Sequence, residues 1–236
     1  MWDRECVARQ IAAPQWDDPA YLARIAIARA LAAAAPHVWG TLVDVGCGTR
    51  PYLPLFSSHI TRYIGVNYPP TAAERPYYAA ADVYADGGHL PLRDGCAQTV
   101  LCTQVLEHVP EPGLMLTEIA RVLCSGGILL LTAPQVWGEH EAPRDFYRYT
   151  SWGLRHLLAG AGLRPQSVQP LEGLFATMGQ MFLDELAWKT LGASHIRCGA
   201  IRMATRAINL ACARLDHAFP TSRRLCLTYL AIATKE

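Results

Sequence analysis

Several side chains suited to acid–base chemistry occur together within residues 134–150. His140 is one of them, and Asp145 and Tyr147 follow in the same stretch. Because imidazole titrates near neutral pH, we predict that His140 is a general base, with Asp145 and Tyr147 orienting either a substrate or the loop itself. His108, which closely follows an apolar run, is a further catalytic candidate.

Each of these residues also has a structural interpretation. His108 can pack at a helix end or within a loop, and Asp145 can form an ion pair with Arg148 that braces the loop. His140, Glu141 and Asp145 are also able to ligate a metal ion. No ligand spacing requires such a site, and we predict none.

An apolar run that ends in a glycine turn lies earlier, at residues 41–50. The run contains Asp44 and then breaks into Gly46, Cys47 and Gly48. Ligands of open α/β sheets bind at the carboxyl ends of the strands, and glycine there lets the backbone approach a bound group closely. Ordinary tight turns share this pattern, so the turn alone does not distinguish the two interpretations.

Three further polar residues end predicted strands: Asn67, Asp86 and Gln104. Because the carboxyl ends of parallel strands meet at one edge of a sheet, we expect these side chains to lie near the glycine turn. A nucleoside-like ligand across that edge would meet the turn, then a hydrogen-bonding group for its ribose, then one for its base. Any one of the three has a simple alternative explanation, since polar residues commonly end strands.

The rest of the chain supplies the elements that position these residues. Strand and helix patterns alternate from residue 18 to residue 132, and two more strands are expected at 164–171 and 225–234. This alternation predicts an α/β fold with a doubly wound, Rossmann-like sheet of seven strands, mostly parallel, preceded by an N-terminal helix.

A long segment at residues 173–220 separates the last two strands, where the fold needs only a hairpin. It carries two helical patterns, which predict a helical insertion that packs on the body, covers the substrate as a lid or forms a dimer surface. We therefore divide the chain into an N-terminal arm and helix (1–37), a core (38–172 and 221–236) and the insertion. A monomer and a homodimer are both compatible with this division.

The composition limits the range of partners. Twenty-one basic and twenty acidic side chains give a formal charge of +1, and no run of like charge indicates a nucleic-acid partner. The apolar stretches are interrupted by charge or proline, so we predict no membrane span. Eight scattered cysteines without a C-x-x-C pair favour free thiols in a reducing cytosol, and hence a cytoplasmic protein.

Taken together, these motifs resemble those of the class I S-adenosylmethionine-dependent methyltransferases. The matching stretches, in the family's order, are residues 43–48, 85–92, 103–109 and 121–127. Within the family, residues 139–150 are similar to a motif of a bacterial subgroup that acts on small molecules. The resemblance covers about residues 38–170.

The resemblance implies roles for individual residues. Gly46 and Gly48 would approach the methionine part of the cofactor, Asp86 would accept a hydrogen bond from the adenine amino group, and Gln104 would line the pocket. Asp44 and Cys47 belong to the same first motif, whose residues bind the cofactor. S-adenosylmethionine is thus the expected cofactor, with S-adenosylhomocysteine as product. The expected reaction is in-line methyl transfer to a small molecule, such as a secondary metabolite or saccharide, held under residues 134–150.

Two residues depart from the family pattern. Arg50 stands where a third glycine is common, and Asn67 stands where an acidic residue usually binds both ribose hydroxyls. A neutral hydrogen bond contributes about 0.5–1.5 kcal/mol, against about 1.5–3 kcal/mol for one to a charged group. We therefore expect cofactor affinity to be about tenfold weaker than with an acidic residue. Asn67 also leaves open a second function, in which the protein binds the cofactor or its product without methylating, as a cyclase or partner subunit.

Overall fold

The computed structural model describes residue 8 and residues 11–69, 81–190, 195–219 and 224–236. Its strands form one seven-stranded sheet. They are β1 (Gly40–Val45), β2 (Ile60–Asn67), β3 (Val83–Tyr84), β4 (Ala97–Thr103), β5 (Leu123–Pro134), β6 (Leu163–Pro170) and β7 (Thr228–Lys235). The order across the sheet is β3-β2-β1-β4-β5-β7-β6, with only β7 antiparallel to its neighbours. The predicted doubly wound, mostly parallel sheet is confirmed.

Helices flank the sheet as the alternation predicted. They are α1 (Tyr21–Ala34), α2 (Leu53–Phe56), α3 (Pro112–Val122), α4 (Ser151–Gly160), α5 (Leu174–Thr190) and α6 (His195–Ala218). A short 3-10 turn, Leu106–His108, follows β4. Helix α4 starts at a conventional cap, in which the Thr150 hydroxyl accepts from the Gly153 backbone N–H at 3.0 Å.

The sheet is covered on both faces, because adjacent residues of each central strand point to opposite sides. One face packs on α1 through Leu42, Leu101 and Leu130. The other packs on α3 and α4 through Val43, Val100 and Leu129. With both faces covered, ligands can reach the sheet only at the strand ends.

Strand β5 starts earlier than its local sequence indicates. Gly126 and Gly127 are typical of a turn before a strand, whereas β5 begins at Leu123. Leu123 is fully buried and pairs with Ala97 of β4. Burial and pairing therefore place Leu123 in the strand, and the register shifts between Ala97 and Thr99, opposite the segment that contains the two glycines.

Helices α5 and α6 occupy the predicted insertion and pack against each other and against α1. The Asp216 carboxylate of α6 accepts from the backbone N–H groups of Phe175 and Ala176 at 3.0 and 2.9 Å, which ties α6 to the start of α5. Asn209 of α6 donates to the Trp16 carbonyl oxygen at 2.8 Å, which ties the insertion to the N-terminal arm. Whether the insertion acts as a lid or a dimer surface stays a prediction.

Parts of the predicted arm, core and insertion fall outside the described residues: 1–7, 9–10, 70–80, 191–194 and 220–223. Within the parts of the chain that the structure covers, no helix is both long enough and apolar enough to cross a bilayer.

Candidate functional site

A cavity of about 350 Å³ opens where β1, β2 and β4 end. Four of the residues predicted to bind a cofactor line it: Gly46, Asn67, Asp86 and Gln104. They come from four different strand ends, as the sheet register predicted. The cavity therefore joins the glycine turn to the polar strand ends in one site, of a size typical of small-molecule pockets.

The glycine turn after β1 is fixed to β2. The backbone N–H groups of Gly46 and Cys47 both donate to the Val66 carbonyl oxygen, at 2.8 and 3.0 Å. Gly46 has a φ of +79°, and a Cβ placed on it would lie 2.2 Å from Cγ2 of Val105. Only glycine fits this turn without displacing Val105, which itself lines the cavity.

Three predicted cofactor residues do not line the cavity: Asp44, Cys47 and Gly48. Asp44 is buried behind the turn, where the Tyr63 hydroxyl donates to its Oδ2 at 2.6 Å and burial raises its pKa to about 7. Cys47 is also buried, which raises the pKa of its thiol to about 12. Gly48 has a φ of +50°, and a Cβ placed on it would meet no heavy atom within 4 Å. Asp44 and Cys47 thus support the turn from behind.

Asn67, at the end of β2, is a buried amide that lines the cavity. Its Nδ2 atom has no hydrogen-bond partner among the described residues. Leaving a buried polar group unpaired costs about 1–3 kcal/mol, so a ligand group that pairs with it is stabilised. A ribose hydroxyl both donates and accepts, and therefore suits either end of the amide.

Gln104 and Asp86 complete this end of the cavity. Gln104 has a φ of +53° and is held there by Thr132, whose carbonyl oxygen accepts from its N–H at 3.0 Å and whose hydroxyl accepts from its Nε2 at 3.1 Å. Asp86 accepts from the Gly88 N–H at 2.8 Å, which fixes the turn after β3. Both side chains therefore border the cavity from turns held by hydrogen bonds.

His108 lines the other end of the cavity. Its Nδ1 lies 2.6 Å from the Arg144 carbonyl oxygen, and because a carbonyl can only accept, Nδ1 carries the proton. Nε2 then holds a lone pair, 3.9 Å from Oε1 of Glu107 and 3.9 Å from Oε2 of Glu141. The imidazole is thus set as a proton acceptor or a ligand at the wall of the cavity.

The other predicted catalytic residues, His140, Asp145 and Tyr147, do not line the cavity. His140 lies behind His108, with the ring centroids 4.8 Å apart in an edge-to-face arrangement. The Tyr147 hydroxyl donates to the Pro110 carbonyl oxygen at 2.9 Å. Tyr147 therefore ties the loop to the segment that carries His108.

Asp145 and Arg148 brace the loop as an ion pair. Two guanidinium nitrogens of Arg148 contact the two carboxylate oxygens of Asp145 at 2.7 and 2.8 Å, and the His140 backbone N–H donates to Asp145 at 2.9 Å. The Arg148 guanidinium holds the pKa of Asp145 well below its usual range. Arg148 also donates to three backbone carbonyl oxygens of the loop. In this geometry Asp145 braces the loop through its ion pair with Arg148, and its carboxylate does not line the cavity.

Glu107 is the site residue that the sequence analysis missed. Its side chain is fully buried, and burial raises its pKa to about 8. Neither carboxylate oxygen makes a hydrogen bond of normal geometry with another described residue. The only signal in the sequence was a charged residue directly after the apolar Leu106, which does not distinguish a buried carboxylate from an exposed one.

Fold and site together define a class. The sheet is doubly wound, with a glycine turn after β1, polar groups at the next strand ends and a cavity across them. This combination is typical of a Rossmann-like domain that binds a nucleotide-like ligand. Within that class, the family model for a methyltransferase domain matches residues 43–131. Residues 43–131 are therefore similar to a methyltransferase domain.

Relatives with the same domain occur in mycobacteria. An uncharacterized methyltransferase of Mycobacterium leprae (strain TN) is 35% identical over 136 residues, which cover 54% of this chain and 46% of that protein. One of Mycobacterium tuberculosis (strain H37Rv) is 36% identical over 135 residues, covering 53% of this chain and 49% of that protein. Each alignment thus spans about half of the relative's length.

Solved structures share the fold over most of the chain. A SAM-dependent methyltransferase from Archaeoglobus fulgidus aligns with a TM-score of 0.56 at 16% identity, covering 97% of this chain and 98% of that one. The cyclase SpnF aligns with a TM-score of 0.56 at 22% identity, covering 88% and 80%. At these identities the comparison supports the fold alone.

Proposed function

We propose that this protein transfers a methyl group from S-adenosylmethionine to a small molecule held under residues 134–150. The observation that carries the proposal is that one continuous cavity is lined by both Gly46 and His108. When bound, S-adenosylmethionine supplies a methyl carbon that is already electrophilic because it is attached to a sulfonium.

The residues at the strand ends fit the cofactor. The turn at Gly46 lets the backbone approach it, and the unpaired amide of Asn67 suits its ribose hydroxyls. Asp86 would accept from its adenine amino group, and Gln104 would form the wall between β1 and β4. Gly48 does not line the cavity and is left out of the proposed contacts, whereas Asp44 and Cys47 act through the shape of the turn.

Proton removal is assigned to His108 in this proposal. The bond from Nδ1 to the Arg144 carbonyl oxygen places the ring proton on Nδ1 and leaves the lone pair on Nε2. The imidazole also borders the cavity, as a general base must. His140, which the sequence favoured as the base, lies behind His108 and is the second candidate. The ion pair of Asp145 with Arg148 holds the loop that excludes water from the acceptor.

The lining of the site favours a small-molecule acceptor. Besides the polar groups, Val109, Met115 and Phe146 line the cavity and provide apolar surface. Such a lining with a few polar groups is typical of small-molecule sites. A near-neutral chain with free thiols at its described cysteines is consistent with a cytoplasmic enzyme that has no nucleic-acid partner.

The test is turnover with methyl-labelled S-adenosylmethionine and a panel of small molecules that carry nucleophilic oxygen, nitrogen or carbon. Release of S-adenosylhomocysteine with a labelled product supports the proposal. If the acceptor must lose a proton, His108→Ala should lower kcat by about 10²–10⁴-fold. His156→Ala, an exposed histidine on α4, is the matched control and should not change kcat. Unchanged turnover of His108→Ala at every pH would refute the base assignment.

Asn67 favours one alternative, a protein that binds the cofactor or its product without transferring methyl. The neutral amide replaces the acidic residue usual in the family, which weakens the expected ribose contact. Such a protein would act as a cyclase or a partner subunit. Saturable cofactor binding without any S-adenosylhomocysteine release across the panel would favour this alternative.

A further inference from the structure

Three potential metal ligands meet behind the wall of the cavity. One donor atom from each of Glu107, His108 and His140 lies within 4.8 Å of the others. Two come from the 3-10 turn after β4, and His140 comes from the loop after β5. We propose that these three side chains bind a divalent transition-metal ion, with Zn²⁺ or Co²⁺ as the ions the donor set suits.

The hydrogen bonds of the two imidazoles match those of metal-binding histidines. Such histidines usually donate their second ring N–H to a carboxylate or a backbone carbonyl, which fixes the tautomer and ring orientation. In this protein Nδ1 of His108 bonds to the Arg144 carbonyl oxygen at 2.6 Å. Nδ1 of His140 lies 3.1 Å from the Gly138 carbonyl oxygen and 3.4 Å from Oδ2 of Asp145. Each ring therefore keeps a lone pair on Nε2.

The buried carboxyl group of Glu107 is a second indication of a bound cation. Its carboxyl group is fully buried, yet neither oxygen forms a hydrogen bond of normal geometry with another described residue. Oε1 lies 3.9 Å from Nε2 of His108. A buried carboxylate of this kind is costly unless it is paired or binds a metal, and a cation bound by the two imidazoles would pair it.

The separation of the three groups allows a metal after a small contraction. Ligands about 2.1 Å from a tetrahedral ion lie about 3.4 Å apart, so the present spacing of up to 4.8 Å must close by up to about 1.4 Å. His140 lies on a loop, where such a movement is least costly. Two imidazoles and one carboxylate suit Zn²⁺ or Co²⁺, whereas Mg²⁺ and Ca²⁺ prefer oxygen ligands. Glu141, whose Oε2 is 3.9 Å from Nε2 of His108, lies toward the cavity, where the remaining coordination positions would open.

This site goes beyond the proposed methyl transfer. A bound cation would take up the same Nε2 lone pair that lets His108 accept a proton, so the two states of His108 exclude each other. Metal binding can be measured without cofactor or acceptor. Its failure would therefore leave the proposed function standing, and failure of methyl transfer would leave the metal site standing.

The experiment uses the full chain, treated with a chelator and then titrated with Co²⁺ and, by calorimetry, with Zn²⁺. We expect one equivalent to bind, with the visible absorption of a four- or five-coordinate Co²⁺ centre that lacks thiolate charge-transfer bands. His140→Ala, on a partly exposed loop, should weaken binding at least tenfold while leaving the circular dichroism spectrum unchanged. Glu107→Gln, which keeps the side-chain shape, should do the same, and the exposed His156→Ala should have no effect.

Three outcomes would overturn the proposal. The first is the absence of saturable Co²⁺ and Zn²⁺ binding to the wild-type chain. The second is binding that His140→Ala and Glu107→Gln leave unchanged, which would place the ion elsewhere. The third is a Co²⁺ spectrum with thiolate bands, which would place the ion on cysteines. If Glu107→Gln does not fold, His140→Ala alone decides.

Discussion

Gly46 and Gly48 offer a matched pair of substitutions in the proposed cofactor turn. Both have positive φ angles, +79° and +50°. A Cβ at Gly46 would lie 2.2 Å from Cγ2 of Val105, whereas a Cβ at Gly48 would have no heavy atom within 4 Å. Gly48→Ala therefore tests backbone strain alone, and Gly46→Ala tests strain together with a clash at the cavity wall.

The expected costs follow from these distances. An alanine held at positive φ costs about 1–2 kcal/mol, which both variants should lose in the free energy of unfolding. Gly46→Ala must also push Val105 by more than an ångström, which adds about 1–3 kcal/mol by analogy with overpacked cores. Because Val105 lines the cavity, its displacement should weaken S-adenosylmethionine binding at least tenfold, or about 1.4 kcal/mol.

Urea unfolding and calorimetric titration with S-adenosylmethionine measure the two effects separately. Gly48→Ala should bind the cofactor within about threefold of wild type, since a threefold change is only about 0.6 kcal/mol. Adding Val105→Ala to Gly46→Ala should recover part of the lost stability, because it removes the clashing methyl groups. Equal losses of affinity at the two glycines, or wild-type affinity in Gly46→Ala, would refute the assignment of this wall to the cofactor.

Two further predictions concern pH and the loop. Burial raises the pKa of Glu172 to about 8, so the folded protein holds a proton that the unfolded chain releases near pH 4.5. The free energy of unfolding of the wild type should therefore fall relative to that of Glu172→Gln as pH rises from about 4.5 towards 8, by up to about 1.4 kcal/mol per pH unit. Urea unfolding at several pH values measures this, and the same pH dependence in both proteins would contradict it. Arg148→Lys should speed hydrogen exchange in residues 134–150 and lower kcat/KM for the acceptor, because lysine cannot replace the five hydrogen bonds that Arg148 donates. Arg121→Lys is the control, because Arg121 also donates five hydrogen bonds but lies remote from the cavity. It should leave hydrogen exchange in residues 134–150 unchanged, and equal effects of the two variants on that exchange would contradict the bracing role of Arg148.

The sheet could be predicted because its evidence is local. Apolar runs, glycine turns and helical spacing alternate along the chain, and the strand ends place Gly46, Asn67, Asp86 and Gln104 at one edge. The boundary of β5 could not be predicted, since it depends on pairing of Leu123 with a strand more than twenty residues earlier. Tertiary pairing overrides local glycine preference there.

At the end of the cavity near His108, the sequence predicted which residue types are present but not how they are arranged. The sequence placed two histidines near the strand ends, but which of them borders the cavity depends on how the loop folds. The ion pair between Asp145 and Arg148 and the bond from His108 to the Arg144 carbonyl oxygen decide it. The burial of Glu107 is likewise set by the loop that packs over it, through Phe146 and Tyr149. No spacing rule reports such contacts.

The central claim is that S-adenosylmethionine binds across these strand ends with Asn67 at its ribose. Calorimetric titration of the wild-type chain and of Asn67→Asp tests it most directly. We predict saturable binding at one site, about tenfold tighter in Asn67→Asp, because a carboxylate forms the stronger hydrogen bond. No saturable binding to the wild-type chain would contradict the cofactor site, and unchanged or weaker affinity in Asn67→Asp would contradict the role of Asn67.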